Sequence, residues 1–123
     1  MAYLLKSSVD YNFFFVNHLW RLIKMGIVEF DNSFKNGVSL IDFSANWCAP
    51  CKAQEPLIKN VADKFKNRAS IIEVDIDNNR DLATKFMVQS IPTLIIFKNG
   101  KEIKRFVGLQ TENTISKSLE NAL

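Results

Sequence analysis

Both cysteines of this chain fall in one six-residue stretch, Trp47-Cys48-Ala49-Pro50-Cys51-Lys52, and its setting narrows the folds open to it. Val38 to Phe43 is a mostly apolar run of strand length, broken by Ser39 and Asp42, which suits a buried central strand. After Cys48, the residues Leu57, Ile58, Val61, Ala62 and Phe65 recur at helical spacing, with Pro56 inside the pattern as an expected kink. One thiol therefore sits just past a strand and the other inside the helix that follows. Two thiols so placed can close a small disulfide ring reversibly. The thiolate is the nucleophile in such chemistry, and a helix's first turn lowers the pKa of a cysteine placed there.

Other uses of the pair must be weighed against redox chemistry. A structural staple would close too short a loop to constrain the unfolded chain much. A zinc site needs about four ligands, and the chain has two Cys and one His, His18. A metal bridged between two chains, or inert thiols, remain the alternatives to redox chemistry.

The rest of the pattern alternates strand and helix signals. Val28-Glu29-Phe30 alternates like a short strand, and Asp31-Asn32-Ser33 starts a helix that Asn36-Gly37 stops. Ser70 to Asp75 is rich in β-branched residues. Asp77-Asn78-Asn79 reads as a turn or helix start, and Leu82, Ala83 and Phe86 mark a short amphipathic helix. Thr93 to Phe97 is apolar, and Lys98-Asn99-Gly100-Lys101 is a hairpin signal that predicts a partner strand over Ile103 to Val107. Thr111 caps a last helix with Ile115, Leu119 and Leu123 on one stripe. This order predicts an α/β fold: a mixed sheet with helices on both faces.

Length fits one domain with a real core, and the net charge of +3 is mild. No basic cluster is interleaved with aromatics, so nucleic acid is not an expected partner. Residues 1–24 differ from the rest, with a net charge of +2 from Lys6, Arg21 and Lys24 against Asp10. Their apolar run is broken too early for a membrane span and makes a poor signal peptide. Phe13, Val16, Trp20 and Ile23 fall at helical spacing, which predicts an extra helix docked on the domain or, in the sharper reading, a surface anchor.

Two more residues are chemically placed. Asp42 sits between Ile41 and Phe43 on the same strand face as Leu40 and Ser44. It is either a solvent-facing strand residue or a buried proton acceptor with a raised pKa, able to serve the second thiol. Pro92 immediately precedes a strand, and base rates alone predict a trans bond before it.

Asp42-Phe43, Trp47 to Lys52, Pro56, Val74-Asp75-Ile76-Asp77, Ile91-Pro92-Thr93, Phe97-Lys98-Asn99-Gly100 and Val107-Gly108, in this order and spacing, resemble the thioredoxin family. The resemblance runs from about Gly26 to Leu123, which divides the chain into a 1–24 extension, helical or the product of a misplaced start at Met25, and a 25–123 domain. It implies the thioredoxin fold, with a central sheet of four to five strands, and a general protein disulfide reductase. Cys48 would attack a substrate disulfide and Cys51 would resolve the mixed disulfide. Cys48 is then expected to be the more exposed thiol. Asp42 would assist proton transfer, and Pro92 would be cis, beside the cysteines, where the preceding backbone pairs with substrate. Trp47, Ala49, Pro50, Ile91 and Gly108 would border the docking groove. No bound cofactor or metal is implied: electrons would come from NADPH through a thioredoxin reductase to the Cys48–Cys51 disulfide and on to disulfide-containing client proteins. The resemblance further implies a cytoplasmic monomer.

There are departures. Ala49 stands where Gly is commonest, Ser44 where many bacterial members carry Trp, and Glu73 where many carry Lys. Alanine fits a helix start, so a tuned activity is expected. Relatives that act as oxidases or isomerases often carry His between the cysteines, and Ala49-Pro50 offers no such charge, which favours a reductant. A binding module with idle thiols is the reading from a different class, against which the intact Cys48, Cys51, Asp42 and Pro92 stand.

Overall fold

The computed structural model describes residues 36–123. The expected 1–24 helix, the strand at 28–30 and the helix start at 31–33 lie outside the described residues. Four strands and three helices follow in the order β1 (Val38–Ser44), α1 (Ala49–Lys64), β2 (Ala69–Asp75), α2 (Arg80–Lys85), β3 (Thr93–Lys98), β4 (Lys101–Val107) and α3 (Glu112–Ala122). The sheet order is β2-β1-β3-β4. β2 runs parallel to β1, while β3 is antiparallel to both β1 and β4. The sheet is mixed.

Strand alternation sorts the core into two layers. Leu40, Leu94 and Ile96 pack with Ile58 and Val61 of α1, with Phe65 at its C-terminal cap, and with Ile115 and Leu119 of α3. Ile41, Phe43, Ile95 and Phe97 face the other way, onto Leu82 of α2 and the half-buried Phe86. Every residue of β1 is buried, as a central strand covered on both faces requires. Burying side chains the size of Phe43 or Ile41 stabilises the fold by roughly 2 kcal/mol each.

Local signals set the turns. Asn99 and Gly100 both have positive φ, 52° and 85°, the pair that a two-residue hairpin turn demands. Asn99 also reaches across to β1: its N–H donates to Gly37 O and its Oδ1 accepts from Gly37 N, both at 2.8 Å. Thr111 caps α3 by accepting the Thr114 N–H at 3.1 Å. On β4, the Arg105 guanidinium bonds Glu102 at 2.8 and 2.9 Å and holds its carboxyl below the usual range.

Two expectations need correcting. β4 begins at Lys101 rather than Ile103, because the tight turn lets pairing start at once, and the register then shifts between Ile96 and Phe97. Leu123 does not join the buried stripe of α3. The helix ends at Ala122, which is buried, and Leu123 lies past its end with 47% of its surface exposed. α1 runs through Pro56, which lies on its exposed side and leaves Lys52 O without its intrahelical donor.

Candidate active site

The site forms where β1 ends and α1 begins. Ser44 closes the strand, Ala45 and Asn46 turn the chain, and the Cys48 N–H donates to Ala45 O at 3.3 Å. Cys48 is the N-cap of α1 with extended backbone, followed by Ala49 and Pro50 in the first turn. Proline is tolerated there because its missing N–H would have no helical partner. The Cys48 Sγ accepts the Cys51 N–H at 3.2 Å. An N–H aimed at this sulfur, with the positive end of the helix behind it, favours the thiolate when the pair is reduced. In this structure Cys48 and Cys51 are joined as a disulfide, with Cα atoms 5.2 Å apart.

The surroundings come from three other segments. The Ile91–Pro92 peptide is cis, the state that the resemblance implied against the base rate for such bonds. Ile91 O lies 3.8 Å from the Cys48 Sγ, and Ile91 and Ile76 pack against Cys48, Cys51 and Ala45. In the disulfide each cysteine is 5% exposed, whereas the expectation that Cys48 is the more exposed thiol concerns the reduced pair. What separates them is position. Cys48 caps the helix, whereas Cys51 lines a cleft of about 410 Å³ with Ser44, Ala45, Asn46, Lys52, Glu55 and Glu73.

Asp42 is 2% exposed, on the sheet face that α1 covers, so the solvent-facing alternative is set aside. It pairs in register with Glu73 of β2, and Ser44 Oγ donates to Glu73 Oε2 at 3.2 Å. Lys52 is exposed on the outer side of the first helical turns.

On the outer face, Trp47 is 68% exposed and its indole N–H donates to Asp77 Oδ2 at 2.9 Å. Asp77 is placed by the buried Asp75, whose carboxylate accepts from Asp77 N at 2.9 Å and Asn78 Nδ2 at 3.1 Å. Gly108, at φ +94°, donates its N–H to Pro92 O at 2.8 Å, which ties the loop after β4 to the proline segment. Ala49 and Pro50 are exposed beside the disulfide. The structure thus brings Cys48, Cys51, Trp47, Ala49, Pro50, Ile91, Pro92 and Gly108 to one end of the sheet, with Asp42 beneath α1.

A model of the thioredoxin family matches residues 22–121. The chain belongs to the thioredoxin family. Thioredoxin from Staphylococcus saprophyticus is 38% identical over 102 residues, spanning 83% of this chain and 98% of that protein. Thioredoxin from Staphylococcus aureus is 37% identical with the same coverage. Among solved structures, a mutant thioredoxin from Halobacterium salinarum is 34% identical with a TM-score of 0.75, covering 80% of this chain and 87% of that one. Oxidised mitochondrial thioredoxin 3 from Saccharomyces cerevisiae is 28% identical with a TM-score of 0.71, covering 77% and 89%. With its Cys-X-X-Cys pair intact, this thioredoxin-family protein is a thiol–disulfide oxidoreductase of the protein disulfide reductase type, and the redox-active disulfide serves in place of a bound cofactor. Among the described residues no group of three or more Cys, His, Asp or Glu could hold a metal ion. None of the described helices is long and apolar enough to cross a membrane.

Sequence reasoning missed Gln54, Asp75 and Gln110. Gln54 sits in the polar run Lys52-Ala53-Gln54-Glu55 and gives no sign of burial. Asp75 had a usable signal, since an Asp two residues before another, at a strand end, is an Asx-turn pattern.

Proposed function

We propose that this protein delivers two electrons from the Cys48–Cys51 dithiol to protein disulfides, with Cys48 as the attacking sulfur. The observation that carries this assignment is the Cys51 N–H directed at the Cys48 Sγ from the first turn of α1, at 3.2 Å. In the first step the Cys48 thiolate attacks one client sulfur. A Cys48–client disulfide forms, the client S–S bond breaks, and one client sulfur leaves as a thiolate that takes a proton. Cys51 then attacks the Cys48 sulfur, forming the intramolecular disulfide and releasing the second client thiolate. The client gains two electrons and two protons, and the dithiol is oxidised. Asp42 accepts the Cys51 proton as it becomes a nucleophile, a role that suits a carboxylate kept from water.

The backbone at Ile91 pairs with an extended client segment, and Trp47, Ala49, Pro50 and Gly108 border it. A thioredoxin reductase using NADPH returns the disulfide to the dithiol, in the cytoplasm, with the protein acting as a monomer. Residues 25–123 form the catalytic domain and 1–24 supply no catalytic group. The test is reduction of insulin by the full chain, first with dithiothreitol and then with NADPH and a thioredoxin reductase. Activity in both supports the whole cycle. Activity with dithiothreitol alone removes the reductase from the reading, and activity in neither removes the function.

A further inference from the structure

Gln54 lies one turn beyond Cys51 on α1 and is 0% exposed. A glutamine in a helix flanked by Ala53 and Glu55 would ordinarily face water. Here its side-chain amide meets one backbone residue of the loop after β4 at two points. Gln54 Nε2 donates to Gln110 O at 3.0 Å, and Gln54 Oε1 accepts from Gln110 N at 2.8 Å. The amide thus supplies the donor and the acceptor that a neighbouring strand would otherwise offer to Gln110. Residues 108–111 belong to no strand or helix, so these bonds replace the missing pairing.

The clamp is continuous with the site. Gln110 Nε2 donates to Gly108 O at 3.3 Å, and the Gly108 N–H donates to Pro92 O at 2.8 Å. Val107 and Leu109, on either side of Gly108, present apolar side chains to solvent, 60% and 51% exposed. The cysteine helix therefore grips, from beneath, the loop whose upper side faces outward beside Ile91 and Cys48. Neither Gln54 nor Gln110 lines the cleft at Cys51.

We infer that Gln54 is a positioning residue for client proteins: through Gln110 it holds the Gly108–Leu109 backbone in the shape that receives a client chain. The inference rests on the reading that clients dock across Ile91 and Gly108. It separates two substrate classes. A protein disulfide uses the loop, whereas a small aromatic disulfide needs only the sulfurs. Loss of the clamp should weaken client binding and leave the exchange chemistry alone.

The test compares the full chain with Gln54→Leu, which keeps the buried volume and removes both bonds. Insulin and 5,5′-dithiobis(2-nitrobenzoate) serve as substrates, with dithiothreitol supplying electrons for insulin turnover. The expected result is a KM for insulin raised about tenfold, with kcat and the small-disulfide rate within about twofold of the unmodified protein. Gln54→Glu is the second variant. Its carboxylate can still accept from Gln110 N but, once ionised, cannot donate to Gln110 O, so one of the two bonds is lost. Its insulin KM should rise above that of the unmodified protein, with the small-disulfide rate again within about twofold.

An unchanged insulin KM in Gln54→Leu overturns the inference. So does a parallel fall in the small-disulfide rate, which marks a general structural role. An insulin KM in Gln54→Glu equal to that of the unmodified protein overturns it even if the leucine variant does not fold. If the unmodified protein reduces the small disulfide but not insulin, the docking reading itself has failed and the inference goes with it.

Discussion

Replacing Asp75 by alanine should loosen the outer wall of the site and lower stability by an amount that can be worked out in advance. The Asp75 carboxylate is 4% exposed and accepts two hydrogen bonds, from Asp77 N at 2.9 Å and Asn78 Nδ2 at 3.1 Å. A hydrogen bond to a charged group is worth about 1.5–3 kcal/mol, so two at the lower end amount to about 3 kcal/mol. For a domain of this size that lowers Tm by about 12 °C. Asp75→Asn keeps an acceptor for Asp77 N but turns its amide toward Asn78, so about half of that drop is expected. The same turn presents Asp77 to the Trp47 indole N–H at 2.9 Å, so Trp47 should lose its anchor. We expect the insulin KM of Asp75→Ala to rise about threefold at a temperature where the variant is fully folded. Thermal unfolding followed by circular dichroism gives the first number and insulin turnover the second. A Tm within about 3 °C of the unmodified protein would refute the reasoning that this turn is held by its aspartate.

Asp42→Asn should hold or raise stability at neutral pH while slowing insulin turnover. The amide avoids the cost of burying an ionised carboxylate but cannot take the Cys51 proton; full activity with an unchanged pH profile would remove Asp42 from the chemistry. A chain beginning at Met25 should keep insulin reduction, and a folded but inactive truncation would show that residues 1–24 take part. Arg105→Ala should lower stability by at most about 1 kcal/mol after solvent screening. Because Arg105 holds Glu102 below its ordinary pKa of 4.5, that contribution is present above 4.5 and is lost as pH falls through the depressed value. A denaturation difference between variant and parent that persists unchanged at strongly acid pH would contradict the pairing.

Features set by neighbours along the chain could be read before the structure was known. Asn99-Gly100 must take positive φ to turn a two-residue hairpin, and Thr111 precedes an apolar stripe with its hydroxyl in reach of Thr114 N. The run Val38 to Phe43 has too few polar residues for a strand with a wet face, and all of β1 is buried. What could not be read depends on residues brought together from afar. Gln54 is buried because Gln110, 56 positions later, offers it a bare backbone N–H and C=O. Leu123 fits the stripe of α3 but not its length, since nothing local says that the helix stops one residue earlier. Ile91 and Ile76 pack against the Cys48–Cys51 pair from segments far along the chain, which position on a helix cannot reveal. Proline's cis state at 92 was expected from resemblance alone, since base rates argue for trans.

The most direct test of the central claim is to trap the mixed disulfide. The full chain carrying Cys51→Ser is reduced, freed of reductant and mixed with insulin under native conditions, then mapped by mass spectrometry beside Cys48→Ser. Cys48 attacking without a resolving partner should leave an insulin chain bonded to Cys48, while Cys48→Ser forms little or no adduct. An adduct that forms faster through Cys51 in the Cys48→Ser protein, or no adduct in either, would contradict the assignment of Cys48 as the attacking sulfur.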